Sequence, residues 1–160
     1  MKIAVGSDHA GFHLKQKVIG WLRGKEYEVQ DVGTHSEARC DYPDYAKLVA
    51  EKVSRGEVER GILVCGSGIG MSITANKVAG VRAAECFDPL TAQLSRAHND
   101  ANVLCLGERL VGEDIALKMV KTWLSTPFEG GRHAQRVEKI KEIERQNLKV
   151  PSPQGSGSSI

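Results

Sequence analysis

The sequence predicts a three-layer α/β/α, Rossmann-like fold with a five-stranded parallel sheet and an additional C-terminal helix. Short apolar runs rich in valine, isoleucine and leucine are typical of strands that are buried on both faces. These runs span residues 3–5, 29–32, 62–65, 81–84 and 103–106. Segments with the apolar spacing of amphipathic helices separate the runs. Such alternation of strand and helix indicates parallel strands joined by crossover helices.

The crossover helices are predicted from apolar residues that recur at three- and four-residue intervals. The stripes consist of Leu14, Val18 and Leu22; Tyr45, Leu48, Val49 and Val53; Leu90, Leu94 and Ala97; and Ala116, Met119, Val120 and Trp123. Two helix starts are marked by a proline in the first turn, at Pro43 and Pro89. Asp88 is positioned to cap the second of these helices.

A final helix is predicted over residues 132–146, and its apolar stripe consists of Val137, Ile140 and Ile143. We expect residues 1–150 to form a single domain, since neither an internal repeat nor a second domain is evident. Residues 151–160 are rich in serine, proline and glycine and have no apolar pattern. We therefore predict that this tail is disordered.

Composition argues against several classes of protein. The chain has 160 residues and a formal charge of +2, which is too small to suggest a partner such as nucleic acid or a charged membrane surface. No apolar stretch approaches the roughly 20 residues of a membrane span. The four cysteines form neither a C-x-x-C pair nor a zinc-like cluster with histidine, so we expect no metal site and a reducing, cytoplasmic location. Cys86 and Cys105 are interpreted as small buried residues.

The first candidate loop follows the first predicted strand. In doubly wound sheets, ligands bind outside the carboxyl ends of the strands. Asp8 and His9 lie at such an end, between Gly6 and Gly11. Asp8 could simply cap a helix, but two adjacent ionisable side chains at this position favour a functional role.

The second candidate loop, residues 65–72, follows the third predicted strand. Its alternating glycines, Gly66, Gly68 and Gly70, allow backbone N–H groups to approach an oxyanion or a phosphate at the start of a helix. The loop fits neither G-x-G-x-x-G nor a Walker sequence. What distinguishes it is a thiol, Cys65, beside oriented N–H groups, a setting that favours the thiolate. The Ser67 hydroxyl could relay protons.

Two segments outside these loops also contain candidate residues. His98 precedes the fifth strand, at the edge of the sheet away from Cys65, so it could serve the same site only from a second subunit. Arg132 and Arg136 lie four residues apart at the start of a helix, where the dipole disfavours cations. Their pairing indicates a bound anion, most simply a phosphate. Arg109, after the fifth strand, could join them, although alone it is interpreted as a surface residue.

Together these segments resemble the type B ribose-5-phosphate isomerases, which are related to the galactose-6-phosphate and allose-6-phosphate isomerases. The shared stretches are residues 6–11, 41–43, 61–77, 93–104 and 129–137. Each stretch is modest alone, but the set is specific and extends from residue 1 to about residue 147.

The resemblance implies a homodimer with sites at the subunit interface, and it leaves open whether dimers pair into a tetramer. It implies interconversion of ribose 5-phosphate and ribulose 5-phosphate through an enediolate, without a cofactor. Cys65 would be the base, as in the branch of the family that uses cysteine instead of a glutamate at the position of Met71. His98, helped by Asp8, would assist opening of the furanose ring.

The resemblance also assigns the residues that bind the substrate. The phosphate would be held by His9, Arg109, Arg132 and Arg136, and Asn99 would contact a sugar hydroxyl. The enediolate oxygens would be bound by the Ser67 hydroxyl and by the backbone N–H groups of the loop, at Gly66, Gly68, Ile69 and Gly70.

Three alternatives stay open at this point. The substrate could be allose 6-phosphate or galactose 6-phosphate, since the depth of the pocket cannot be read from the sequence. The chain could be a module that binds a phosphate or a nucleotide, although such a module would not need a thiol, a hydroxyl and two imidazoles together. A hydrolase with Cys65 as nucleophile is disfavoured, because Met71 replaces the arginine of thiol phosphatases.

Overall fold

The computed structural model describes residues 1–148, in which all five predicted strands are present and parallel. The strands are β1 (Lys2–Ser7), β2 (Glu28–Asp31), β3 (Arg60–Cys65), β4 (Ala83–Glu85) and β5 (Val103–Gly107). Their order in the sheet is β2-β1-β3-β5-β4. Only β4 departs clearly from the prediction: it starts at Ala83 instead of residue 81.

Within residues 1–148, six α-helices connect and follow the strands. They are α1 (Phe12–Gly24), α2 (Tyr42–Ser54), α3 (Ile69–Ala75), α4 (Pro89–Ala97), α5 (Glu113–Ser125) and α6 (Arg132–Leu148). A 3-10 turn, His9–Gly11, precedes α1. The predicted cap at Asp88 is confirmed, because its carboxylate accepts a hydrogen bond of 2.7 Å from the Thr91 N–H. No helix within residues 1–148 is long and apolar enough to cross a membrane.

The three layers follow from the alternation of side chains along the buried strands. Ile3 and Val5 of β1 belong to a core with α1 and α5, which is centred on Leu22, Met119 and Trp123. Ala4 points to the opposite face, where α2 and α3 contribute Val49 and Met71. Two apolar cores on opposite faces of one sheet therefore confirm the predicted Rossmann-like architecture.

Two of the predicted helices carry part of their apolar stripe on an exposed face. Leu90 and Leu94 of α4 are exposed, and so are Ile140 and Ile143 of α6. The face of α4 that packs inward instead consists of Ala92, Ser95, Arg96 and Ala97. Apolar periodicity identifies the helix but not which of its faces the same chain covers. The predicted tail, residues 151–160, lies outside the described residues.

Close backbone contacts hold the loops at the carboxyl edge of the sheet together. A Cβ atom on Gly107, at the end of β5, would lie 2.6 Å from the backbone carbonyl carbon and oxygen of Ser67. Real Cβ atoms do not approach backbone atoms so closely, so the 65–72 loop could keep its place only with glycine at this position.

We predict opposite effects for two glycine-to-alanine substitutions. Gly107→Ala should lower the free energy of unfolding by about 1–3 kcal/mol, because the added methyl group forces the backbone apart. Gly20→Ala is the matched control: it lies inside α1 with no atom within 4 Å of the added Cβ, and should raise stability by roughly 0.5–1 kcal/mol. Urea denaturation measures both, and equal effects would contradict the proposed contact.

Candidate active site

An open cleft of about 550 Å³ lies at the carboxyl edge of the sheet, where the sequence predicted it. The cleft is lined by residues 8–10, 65–67, 69–70 and 109–110 and by two helical side chains, Tyr42 and Ile73. A groove of about 600 Å³ runs between α6 and the edge of β4, but of the predicted site residues only Asn99 lines it. The first cleft is lined by the Cys65 thiol and by four of the predicted polar side chains, those of Asp8, His9, Ser67 and Arg109.

Cys65 ends β3 and is buried at the base of the cleft. Its Sγ accepts a hydrogen bond of 3.1 Å from the Gly68 N–H. Gly68 adopts φ of 81°, a left-handed conformation that glycine reaches without strain and that turns this N–H back toward the sulfur. The next N–H, of Ile69, donates to the Ser67 hydroxyl at 3.2 Å. The predicted pairing of a thiol with oriented N–H groups is therefore present.

Asp8 and His9 form the second wall of the cleft. The Asp8 carboxylate accepts from the Gly11 N–H at 3.1 Å, so it does cap the turn while it lines the cleft. The Nδ1 atom of His9 lies 3.2 Å from both the N–H and the carbonyl oxygen of Cys40. When Nδ1 accepts from this N–H, the proton sits on Nε2, which can donate to an anion.

Arg109, which alone was interpreted as a surface residue, lines the cleft. Its guanidinium covers Gly66: the Nη1 atom is 3.2 Å from where a Cβ of Gly66 would be. Its backbone N–H donates to the Gly66 carbonyl at 3.0 Å, and the N–H of Glu108 donates to the Cys65 carbonyl at 2.9 Å. The Glu108 carboxylate in turn accepts a hydrogen bond of 2.6 Å from the backbone N–H of Leu14, in the first turn of α1. This network holds the positively charged guanidinium group of Arg109 beside the glycine loop.

The remaining predicted residues do not line this cleft. His98 follows the last turn of α4, and its ring stacks on His133 with centroids 4.1 Å apart and planes inclined by 8°. Asn99 is the next residue, and Arg132 and Arg136 lie in the first turns of α6, on either side of His133 in sequence. The structure thus divides the predicted residues into two groups, one in the cleft and one around His98.

Burial shifts the pKa values of two thiols and one imidazole. Desolvation raises the pKa of the Cys86 thiol, and it raises that of Cys105 well above its ordinary value. Both thiols therefore stay protonated. Desolvation lowers the pKa of His133, and the neighbouring His98 and Arg132 lower it further, so this imidazole favours its neutral form.

Two residues at the site were not among those predicted from the sequence. Tyr42 packs its ring so closely on Gly70 that a side chain there would collide with it. Glu85, at the end of β4, lies behind the glycine loop, with Oε2 about 3.1 Å from where a Cβ of Gly68 would be. That oxygen is buried without a hydrogen-bond partner, and desolvation raises the pKa of the carboxyl group. Tyr42 lies in the 41–43 stretch shared with the isomerase family, but no role was assigned to it, and neither periodicity nor a shared stretch marks Glu85.

Comparison with known proteins places this arrangement among sugar isomerases. A model of the ribose/galactose isomerase family matches residues 3–140. Ribose-5-phosphate isomerase B of Escherichia coli is 54% identical over 144 residues, which cover 90% of this chain and 97% of that protein. Ribose-5-P isomerase B of Listeria innocua is 42% identical over 147 residues, which cover 92% and 99% of the two chains.

Solved structures agree with the sequence comparisons. The ribose-5-phosphate isomerase B of Clostridium thermocellum superposes with a TM-score of 0.91 at 55% identity, covering 92% of this chain and 99% of that chain. The Mycoplasma genitalium ribose-5-phosphate isomerase B, solved with bound ribulose 5-phosphate, gives a TM-score of 0.88 at 44% identity and covers 91% and 97% of the two chains.

We predict that Glu85→Gln makes stability less sensitive to pH. Because the pKa of Glu85 is raised in the fold, the folded state holds its proton more tightly, and stability is lost as pH rises above the ordinary glutamate value. The neutral amide of glutamine removes that loss. It should increase the free energy of unfolding by on the order of 1 kcal/mol at pH 7, and by less in acid. Urea denaturation at pH 7 and at acidic pH measures the change in the free energy of unfolding. Glu28→Gln on β2, an exposed position, is the control, and equal pH dependence of all three proteins would contradict the assignment.

Proposed function

The chain belongs to the ribose/galactose isomerase family and is an isomerase, and on that premise we propose that it interconverts ribose 5-phosphate and ribulose 5-phosphate through an enediolate. The observation on which this proposal rests is the hydrogen bond of 3.1 Å between the Gly68 N–H and the Cys65 sulfur, inside a cleft at the carboxyl edge of the sheet. Membership of an isomerase family argues against the alternatives of a binding module and a thiol hydrolase.

Cys65 is the base in this mechanism. The thiolate takes the proton from C2 of the open-chain aldose, and the electron pair of that C–H bond passes into the enediolate. The proton of the C2 hydroxyl passes to the C1 oxygen, relayed by the Ser67 hydroxyl, while the same sulfur returns the carbon-bound proton to C1, which yields the ketose. The N–H groups of the 66–70 loop and the Ser67 hydroxyl stabilise the negative charge that develops on the oxygens. Cys86 and Cys105 do not compete as bases, because burial raises the pKa of both thiols.

The phosphate provides binding energy at a distance from the reacting carbons. His9 and Arg109 line one side of the cleft and supply donors to an anion. Arg132 and Arg136 complete the phosphate site from the group around His98, with Asn99 at a sugar hydroxyl. His98, with Asp8, opens the furanose ring, so that the carbonyl needed for proton abstraction is formed.

We infer that the two groups meet across a homodimer interface. Within one chain His98 lies outside the cleft, yet the proposed reaction needs it beside the sugar. Leu90 and Leu94 of α4 and His98, its C-cap residue, follow one another at four-residue intervals, and both leucines are exposed. Exposed apolar side chains also border the cleft, at Ile69, Ile73 and Leu110. Pairing of these apolar surfaces would bring His98 of one subunit toward Cys65 of the other.

The four free thiols fit a cytoplasmic location. Cys40, Cys65, Cys86 and Cys105 are all unpaired. Reduced thiols are the rule in the reducing cytosol, whereas secreted proteins convert suitably placed cysteines to disulfides. The proposed chemistry also needs Cys65 in its reduced form.

We predict that Cys65→Ala lowers kcat by about 100-fold or more, because it removes the proposed base. The KM for ribose 5-phosphate should change little, since the phosphate contacts remain. NMR of metal-stripped protein in D₂O, with ribose 5-phosphate as substrate, follows conversion and deuterium incorporation together.

Cys86→Ala is the matched control for this experiment, because it removes a buried thiol that plays no part in the chemistry. Full activity of Cys65→Ala would remove Cys65 from its role. If the native protein converted allose 6-phosphate or galactose 6-phosphate but not ribose 5-phosphate, the mechanism would stand and the substrate assignment would be wrong.

We predict that two inactive variants restore each other's activity. When Cys65→Ala and His98→Gln chains are mixed through reversible denaturation, a shared site leaves one intact site in every heterodimer. Statistical mixing then restores about a quarter of the wild-type sites in the whole population. If each site lay within one subunit, every chain would stay defective and the mixture would be inactive. Each variant refolded alone is the control.

A further inference from the structure

Two imidazoles and a carboxylate meet where α6 begins, on the side of the sheet away from the Cys65 cleft. The Nε2 atom of His133 lies 3.4 Å from Oε2 of Glu129, and Nε2 of His98 lies 3.9 Å from the same oxygen. All three potential ligand atoms are within 4.8 Å of one another. Within residues 1–148, no other three histidine, cysteine, aspartate or glutamate side chains come together in this way.

The backbone holds these side chains in place. The N–H of Glu129 donates to the carbonyl oxygen of Ala97, the residue before His98, at 3.0 Å. Gly130 and Gly131 both have positive φ, 69° and 55°, and make a tight turn that most residues with a side chain would strain. The N–H of His133 closes the turn with a hydrogen bond of 3.0 Å to the carbonyl oxygen of Gly130. His133 itself is buried, so one of the three ligands is already fixed.

We propose that His98, Glu129 and His133 form a binding site for a divalent transition metal ion such as Zn²⁺ or Co²⁺. Two imidazole nitrogens and one carboxylate oxygen, with a fourth position open to solvent, are donors that suit these ions. Bonds of about 2.0–2.2 Å place tetrahedral donors roughly 3.4 Å apart, which matches the separation of His133 and Glu129. The His98 ring, which is partly exposed, stacks on His133 and must rotate off this stack to bring in the third donor.

The charges around the site set a limit on its affinity. Arg132 and Arg136 are close enough to influence His133, and their positive charge opposes a cation. Glu129 supplies the one negative charge among the ligands and so offsets part of this repulsion. The site is therefore expected to bind a metal ion reversibly, unlike a structural zinc site with several thiolates.

Metal binding would inhibit the isomerase, a consequence that rests on the proposed function. The lone pair of His98 that binds the ion is not available for proton transfer to the sugar ring. The ion would also occupy the space between the imidazoles and Arg132, where the phosphate is expected. Zinc would thus compete with sugar phosphate, and a chelator would restore activity.

The binding test uses the metal-stripped full-length protein and Co²⁺ as the probe. The visible absorption of bound cobalt should saturate at one ion per chain, without the near-ultraviolet band that cysteine ligation produces, and Zn²⁺ should abolish it. Glu129→Gln and His98→Gln should each weaken binding by about tenfold or more, since even outer-shell substitutions cost 10–100-fold. The matched control is His13→Gln, which removes an exposed His–Glu pair with Glu37 and should leave affinity unchanged.

Several outcomes would overturn the proposal: no saturable cobalt binding, equal affinity in Glu129→Gln and the native protein, or a thiolate band. The inhibitory role is tested separately by isomerase assays with and without Zn²⁺. Zinc should inhibit the native enzyme and affect Glu129→Gln far less. If the native protein showed no isomerase activity at all, the proposed function would fail, while the cobalt titration would still decide the metal site.

Discussion

The cleft depends on the close approach of three backbone segments at the carboxyl edge of β1, β3 and β5. A Cβ atom on Gly11 would overlap the backbone of Val64, and one on Gly107 would overlap the backbone of Ser67. Glycine at both places lets the turn after β1 touch the backbone of β3, and the end of β5 touch the loop after β3, without intervening side chains. The thiol, the hydroxyl and the N–H groups of the 65–70 loop therefore have fixed positions before any ligand arrives.

A buried ion pair supports this edge from the side. The ammonium group of Lys15 is fully buried and lies 2.6 Å from the Asp31 carboxylate, which also accepts from the Gly33 N–H at 3.0 Å. Backbone hydrogen bonds of 2.8 Å then join Gly33 and Thr34 to Ser7, the residue before Asp8. Separating a buried charge from its partner is strongly unfavourable. The pair therefore favours the one backbone arrangement in which residues 31–34 bond to Ser7 beside the cleft.

The sequence was sufficient to predict the sheet, the two loops of the cleft and most of their polar residues, because apolar runs and alternating glycines are local signals. It did not predict the exposure of Leu90 and Leu94, since periodicity does not tell which surface the same chain covers. Nor did it predict the meeting of His98, Glu129 and His133. That contact depends on a turn at positive φ, which joins side chains from two helices and the segment between them.

The burial of Cys86 and Cys105 determines how oxidants would affect this protein. Peroxides attack thiolates, so thiols that burial keeps protonated are slow to react. Cys40 is partly exposed and Cys65, although buried, lines the cleft, so an oxidant reaches these two thiols more directly than Cys86 and Cys105. With Cys65 as the base proposed above, its oxidation would stop turnover while Cys86 and Cys105 stay reduced in the apolar cores, and a reductant could reverse the early stages of that loss.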